Sequence, residues 1–356
     1  MTANVNQGVD SIASLSREGY RDIALYAAPG GYVALDLSDN TNLWGAPPAA
    51  LRVIAAATEK AVSRYPVAYE PALAAALADY VGVSSEMIAC GCGSDDVLDS
   101  AIRAFAKAGE VLCLPDPSFS MIPVFARTNG LVPVAIPLTD SFAIDVDAML
   151  ATGARIIYLC TPNNPTGGAL SRDTVEQIVE RAPGLVIIDQ AYVEFGGDNF
   201  IDLATSGRPV LVTRTMSKAF GLAGLRVGYG VGAPELIAEV LKARGPYKVS
   251  SLAERAGIAT LKTDQAWVTQ HIKDVVVNRA RLRAELKMRG LSSFESAANF
   301  VLAPMSDCVA VAASLESVGV RVRALPQLSG IGDAVRIAVG PLEMMQRFLD
   351  AMEEVA

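Results

Sequence analysis

Histidine is almost missing from this sequence: His271 is the only one in 356 residues. A zinc site built on several imidazoles is therefore excluded, and a Ser-His-Asp relay would rest on this one residue, so it is nearly excluded too. Proton transfer falls instead to lysine, tyrosine, cysteine or a carboxylate. His271 itself sits in the helical pattern of residues 267–286, as a surface or core-edge residue. Cysteine is scarce and odd in number, five residues, with no CxxC spacing; Cys90 and Cys92 stand in a CGCG run without a second pair. That argues against a disulfide framework or a metal site and fits a reducing compartment. No stretch approaches about 18 uncharged apolar residues, so no membrane span is expected. The opening MTANVNQGVD lacks a basic segment followed by an apolar one, so no signal peptide is expected and the cytoplasm is the reading. Charge is sparse, 19% of residues, and tilts acidic, with 38 Asp and Glu against 30 Lys and Arg, a net charge of −8. Such a chain repels nucleic acid and anionic membranes, so an anionic ligand needs a local cluster of arginines. There is no GxGxxG and no P-loop.

What remains is a packed globular chain, 51% hydrophobic and rich in alanine. Its length suggests two lobes. Residues 1–45 look irregular and read as an N-terminal arm. Helical periods follow at 48–63, 71–80 and 95–108, the last with Ser94 as candidate N-cap. Short apolar runs at 111–114, 132–136, 156–159, 185–188, 210–213 and 227–231 alternate with helical segments such as 171–181. This alternation predicts a mostly parallel sheet flanked by helices, an α/β large domain over 46–244. Gly245–Pro246 breaks the pattern. A long helix at 264–288, strands at 300–303, 320–324 and 334–339, and helices at 308–316 and 342–353 predict a smaller α+β domain over 245–356.

Four segments carry chemistry, each with an ordinary alternative. Lys218 follows an apolar strand, between the hydroxyls of Thr215 and Ser217 and the guanidinium of Arg226. A desolvated lysine is a nucleophilic amine, and its neighbours suit a phosphate dianion; a lysine at a strand end also needs no function beyond reaching solvent. Asp189 closes the run Leu185–Ile188 at a strand's carboxyl end, where open α/β sheets bind ligands, with Tyr192 three residues on; a carboxylate there can keep a heterocyclic nitrogen protonated, or simply cap a helix. Thr161–Gly168 is a turn-rich loop in which Pro165 restricts Asn164 to extended backbone. Gly91 and Gly93 feed Ser94 and Asp95 into a helix N-terminus, a ready phosphate site but a weak signal alone.

Taken together, Arg64-Tyr-Pro66, Gly93-Ser-Asp-Asp96, Pro115-Asp-Pro-Ser-Phe119, Pro162-Asn-Asn-Pro-Thr-Gly167, Asp189-Gln-Ala-Tyr192, Ser217-Lys-Ala-Phe220 with Arg226, and Arg336-Ile-Ala-Val-Gly340 resemble, in order and over about residues 20–350, the fold-type I pyridoxal-phosphate (PLP) enzymes. The branch is that of histidinol-phosphate aminotransferase. The resemblance implies the aspartate-aminotransferase-like fold and a PLP cofactor carried as a Schiff base on Lys218, which also shuttles the proton between substrate Cα and cofactor. Asp189 resembles the partner of the ring nitrogen. Asn164 and Tyr192 resemble the pair on the ring hydroxyl, and Phe119 the stacking aromatic. Ser94, Asp95, Ser217 and Arg226, supported by Thr215, resemble the phosphate cup. Tyr65 resembles the tyrosine that reaches the phosphate from a second subunit, implying a homodimer. Arg336, Arg323 and Tyr26 resemble substrate contacts. The implied activity is transamination between a small anionic amino donor, histidinol phosphate or an aromatic or related amino acid, and a 2-oxo acid such as 2-oxoglutarate. A decarboxylase or lyase resembling threonine-phosphate decarboxylase is the alternative on the same residues. The chain departs from the family at Gln190, where glutamate is usual, at Thr41 and Leu43, at Lys248 and Ser250, and at Phe119, which lacks the usual tyrosine hydroxyl.

Overall fold

A computed structural model describes residues 15–21, 23–25, 30–139 and 141–355. Tyr26 lies outside them. The strands are β1 (Leu35–Asp36), β2 (Ile88–Cys92), β3 (Val111–Asp116), β4 (Val132–Pro137), β5 (Ile156–Cys160), β6 (Leu185–Asp189), β7 (Val210–Thr215), β8 (Val227–Val231), β9 (Phe300–Pro304), β10 (Val320–Arg321), β11 (Arg323–Leu328) and β12 (Gly332–Ala338). The helices are α1 (Pro48–Ala55), α2 (Glu59–Ser63), α3 (Pro71–Val81), α4 (Ser94–Phe105), α5 (Met121–Thr128), α6 (Val146–Ala151), α7 (Arg172–Arg181), α8 (Ile201–Ala204), α9 (Pro234–Arg244), α10 (Ser251–Thr263), α11 (Gln265–Met288), α12 (Cys308–Ser317) and α13 (Leu342–Val355).

Seven strands form one sheet in the order β2-β8-β7-β6-β5-β3-β4, in which only β8 runs antiparallel to its neighbours. The central strands are buried on both faces, as their unbroken apolar sequences require. In β6, Val186 and Ile188 join the core shared with α3, α7 and α10, while Leu185 and Ile187 face α4, α5 and α9. β9, β11 and β12 form a separate antiparallel sheet, and β1 of the N-terminal arm pairs with β10. α10 packs on α1 and α3 beside the large sheet.

The six large-sheet strands expected from the sequence, β3 to β8, agree with their patterns to within two residues, but three elements differ. The helix expected over 48–63 is two: α1 ends at Ala55, and the Thr58 hydroxyl accepts from Ala61 N to start α2. Ser94 is not the N-cap. Gly93 holds that place at φ 79°, with Arg226 packed where a Cβ would project, and Ser94 opens the helix. The run 320–324 divides at Val322, where the chain leaves β1 to pair with β12. β2, α9 and α10 were not singled out; β2 reads Ile-Ala-Cys-Gly-Cys, poor in the branched and aromatic residues that mark strands.

A buried ion pair braces the large sheet's edge. Arg244 Nη2 lies 2.9 Å from Glu70 Oε2 with both side chains fully enclosed. Burial pushes the Glu70 carboxyl up while Arg244 pulls it down. Tyr69 and Glu70 both sit in the left-handed region, so this brace holds a conformation their side chains disfavour.

Candidate active site

The parallel strands β5, β6 and β7 end side by side: Cys160 pairs with Asp189, and Asp189 with Thr213. Their carboxyl ends open onto a cavity of about 560 Å3 that also receives the start of α4 and one face of β11 and β12. Of the fourteen residues singled out from the sequence, twelve line this cavity: Ser94, Asp95, Phe119, Asn164, Asp189, Tyr192, Thr215, Ser217, Lys218, Arg226, Arg323 and Arg336. Tyr65 does not. Its ring is 84% exposed and lies 5.1 Å from that of Tyr247.

At the floor, Asp189 is buried. Tyr158 Oη donates to its Oδ2 at 2.8 Å and Ala191 N to its Oδ1 at 3.1 Å. Burial pushes the carboxyl up to about 6, against the pull of the Tyr158 hydrogen bond. Across the cavity, Lys218 Nζ donates to Asp39 O at 3.2 Å and stands 5.7 Å from the Tyr192 ring centroid. Burial, and then the positive charge of Arg336, push the Lys218 ammonium down to about 8. A nucleophilic amine and a buried carboxylate thus share one chamber.

One end of the chamber brings a helix N-terminus against a guanidinium and a hydroxyl. The first N–H groups of α4 have no partner within the helix and carry its positive dipole end. Beside them Arg226 reaches Ser217 Oγ and Asp95 Oδ2, each at 3.3 Å. Gly228 of β8 lies against the backbone of Gly93 and Ser94, where any Cβ would collide, which lets strand and helix N-terminus meet.

The other end gathers Arg323 and Arg336, direct cross-strand partners in β11 and β12. Arg336 is buried; its Nη1 donates to Asn164 Oδ1 at 2.6 Å and its Nη2 to Ser38 O at 2.7 Å. Leu325 and Leu328 of β11 and Phe119 and Met121 supply apolar wall.

Sequence reasoning missed a strap over the cavity formed by Ser38, Asp39 and Asn40. Ser38 O and Asp39 O accept from Arg336 and Lys218, and Asn40 Nδ2 donates to Tyr192 Oη at 3.3 Å. Two of these contacts are carbonyls, which leave no residue-type signal. Tyr158 was missed because it lies inside an apolar strand. His271, on α11, bonds through Nδ1 with Trp267 O at 2.9 Å, stacks beside Trp44 and Trp267, and does not line the cavity. Among the described residues no cluster of His, Cys, Asp and Glu is placed to hold a metal, and no helix is long and apolar enough to cross a membrane.

The sequence matches the family "Aminotransferase class I and II" over residues 33–352. It is 38% identical to a histidinol-phosphate aminotransferase of Roseiflexus castenholzii over 336 residues, 90% of each chain. It is also 38% identical to an aromatic amino acid aminotransferase of Rhodococcus jostii over 315 residues, 86% of each chain. The histidinol-phosphate aminotransferase of Sinorhizobium meliloti, solved in complex with pyridoxal-5′-phosphate, superposes with a TM-score of 0.84 at 25% identity, covering 96% of this chain and 97% of that one.

Proposed function

This chain belongs to the class I and II aminotransferases, and from that premise we propose that its amino donor is a ring-bearing anion, histidinol phosphate or an aromatic amino acid, with a 2-oxo acid such as 2-oxoglutarate as acceptor. The enzyme is a PLP-dependent transaminase. The observation that carries the donor proposal is the pairing of Arg323 with Arg336 in one chamber with Lys218. Like charges placed cross-strand repel, and an anionic ligand between them relieves that cost. The apolar wall of Phe119, Met121, Leu325 and Leu328 suits a ring. The names of the Roseiflexus and Rhodococcus relatives point to the same two donor classes.

The donor set fits the cofactor. The α4 N-terminus with Ser94, Asp95, Ser217 and Arg226, backed by Thr215, would hold the phosphate. Asp189 would pair with the ring nitrogen, Asn164 and Tyr192 with the ring hydroxyl, and Phe119 with the ring face, while Lys218 would hold the group covalently. When bound, PLP supplies an electron sink for negative charge developing at the substrate Cα. The protein's own residues do the rest. Arg336 fixes the substrate's anionic group, so that the Cα–H bond is presented to Lys218. The Lys218 amine would take the proton from the substrate Cα and return it to the cofactor carbon that carries the substrate nitrogen. Asp189 would supply the negative charge that pairs with the ring nitrogen. The strap and the β11 wall exclude water.

A half-reaction screen without acceptor tests the donor. Histidinol phosphate or an aromatic amino acid should discharge the visible absorbance of the holoenzyme, without carbon dioxide release, at least tenfold faster than alanine or aspartate. Arg323→Ala should cost about 10- to 100-fold in kcat/KM with the preferred donor. Conversion of aspartate alone would refute the proposal, and release of carbon dioxide would favour a decarboxylase.

The division into an arm (1–45), a large domain (46–244) and a small domain (245–356) belongs to the same proposal, as does assembly into a homodimer through the face bearing Tyr65. Exposed Val67, Tyr69 and Tyr247 neighbour that tyrosine in sequence or in space, an apolar patch suited to a second copy. Sedimentation should give twice the chain mass of 37.3 kDa, and Tyr65→Asp should shift it toward one; a monomer at micromolar concentration would rule the assembly out. The five free cysteines fit a reducing compartment such as the cytoplasm.

A further inference from the structure

Tyr158 has no place in the roles assigned above, yet it makes the shortest side-chain contact to the carboxylate at the cavity floor. The residue is fully buried in β5, one strand over from Asp189. Its side chain shares a sheet face with Ile187, its register partner, and therefore with Asp189 two residues on. Its Oη donates to Asp189 Oδ2 at 2.8 Å, and Ala191 N occupies Oδ1. From the geometry we infer that Tyr158 is a positioning residue for transamination: its phenol holds Asp189 in its ionised form and in one orientation, so that the shared proton stays on the cofactor's ring nitrogen. This rests on the assignment of Asp189 to that nitrogen.

A carboxylate sealed from water is more basic than one in solvent, and a proton shared with a pyridine nitrogen would then drift to the carboxyl oxygen. That transfer would neutralise both partners and weaken the electron sink. A hydrogen bond donated to the carboxylate opposes it by stabilising the anion. Tyr158 can only donate toward Asp189, because burial and the nearby carboxylate push its own phenol well above its ordinary range. It cannot be replaced by solvent, since the site around its ring is closed. The Tyr158 bond also holds Oδ2 of a carboxylate that lines the cavity.

Tyr158→Phe keeps the ring and removes only the donor. In holoenzyme reconstituted with cofactor labelled with 15N in its ring, the substitution should move the ring-nitrogen shift from the protonated toward the unprotonated value near neutral pH. The acid limb of the kcat/KM profile should rise by about one pH unit, and the half-reaction should slow about tenfold at neutral pH. Replacing tyrosine with a fluorinated, more acidic analogue strengthens the donor and should move the 15N shift the opposite way, which keeps the idea testable if the phenylalanine variant folds poorly. A 15N shift and a pH profile unchanged in both, whatever happens to the melting temperature, would overturn the inference and leave Tyr158 a packing residue. Asp189→Asn run in parallel should itself move the 15N shift; if it does not, the assignment of Asp189 fails and the role of Tyr158 fails with it.

Discussion

Lys218→Ala should lose transamination by a factor of about 1000 or more while the protein still takes up PLP non-covalently. The size of the loss follows from two duties resting on one amine. Lys218 would anchor the cofactor, and its released amine would carry the proton between carbons. No histidine stands by to substitute. The neighbouring Tyr192 is a poor base, because burial pushes its phenol up to about 12. The environment prepares the amine for both duties. With the ammonium pushed down to about 8 by burial and by Arg336, roughly a tenth of it is neutral at pH 7, against well under a thousandth for an ordinary lysine. The sign of the pH dependence follows. Capture of added PLP by the apoprotein should slow about tenfold per pH unit below 8 and level off above it, as read by stopped-flow absorbance. Uptake itself should persist in the alanine variant, because the α4 N-terminus and Arg226, the groups proposed to hold the phosphate, are untouched. Substantial steady-state turnover by Lys218→Ala would contradict the assignment.

Arg336→Ala should raise the donor KM and lower kcat/KM by roughly 30- to 1000-fold, about 2–4 kcal/mol, with little change in cofactor affinity. The guanidinium is buried and already oriented by Asn164 Oδ1 and Ser38 O, so in the proposed role it would meet a substrate anion without reorganising. Removing it takes away that charge and also frees Asn164. Arg336→Lys separates the two contributions: it restores positive charge but not the planar fork, so it should recover only part of the loss. An unchanged donor KM in the alanine variant would remove Arg336 from the binding site.

Much of this chamber was legible from the sequence because its residues sit where chain grammar changes. Asp189 directly follows an unbroken apolar run, Lys218 stands six residues past the end of another, and Asn164 lies in a proline- and glycine-rich loop after a third; parallel sheets bring such junctions together at one edge. What escaped depends on partners distant in sequence. Ser38 and Asp39 contribute carbonyls whose position follows from β1 joining β10, some 285 residues away. Tyr158 reads as one more large residue in a strand until the register of β5 against β6 puts it beneath Asp189. The Ser94 cap was misjudged because the choice between Gly93 and Ser94 turns on the close packing of Arg226 and Gly228, which no local pattern encodes. The single helix drawn over 48–63 ignored Thr58, a capping residue in plain view.

Arg321 draws these distant pieces into one linkage. Buried at the end of β10, it donates to Gly30 O, Gly31 O and Asp36 ahead of and within β1 and to Glu316 on α12. Three residues beyond Asp36, the same chain offers its carbonyl to Lys218. One guanidinium thus joins α12 to the segment that ends at the carbonyl facing Lys218 Nζ, so two regions nearly 300 residues apart in sequence meet within a few bonds of that nitrogen.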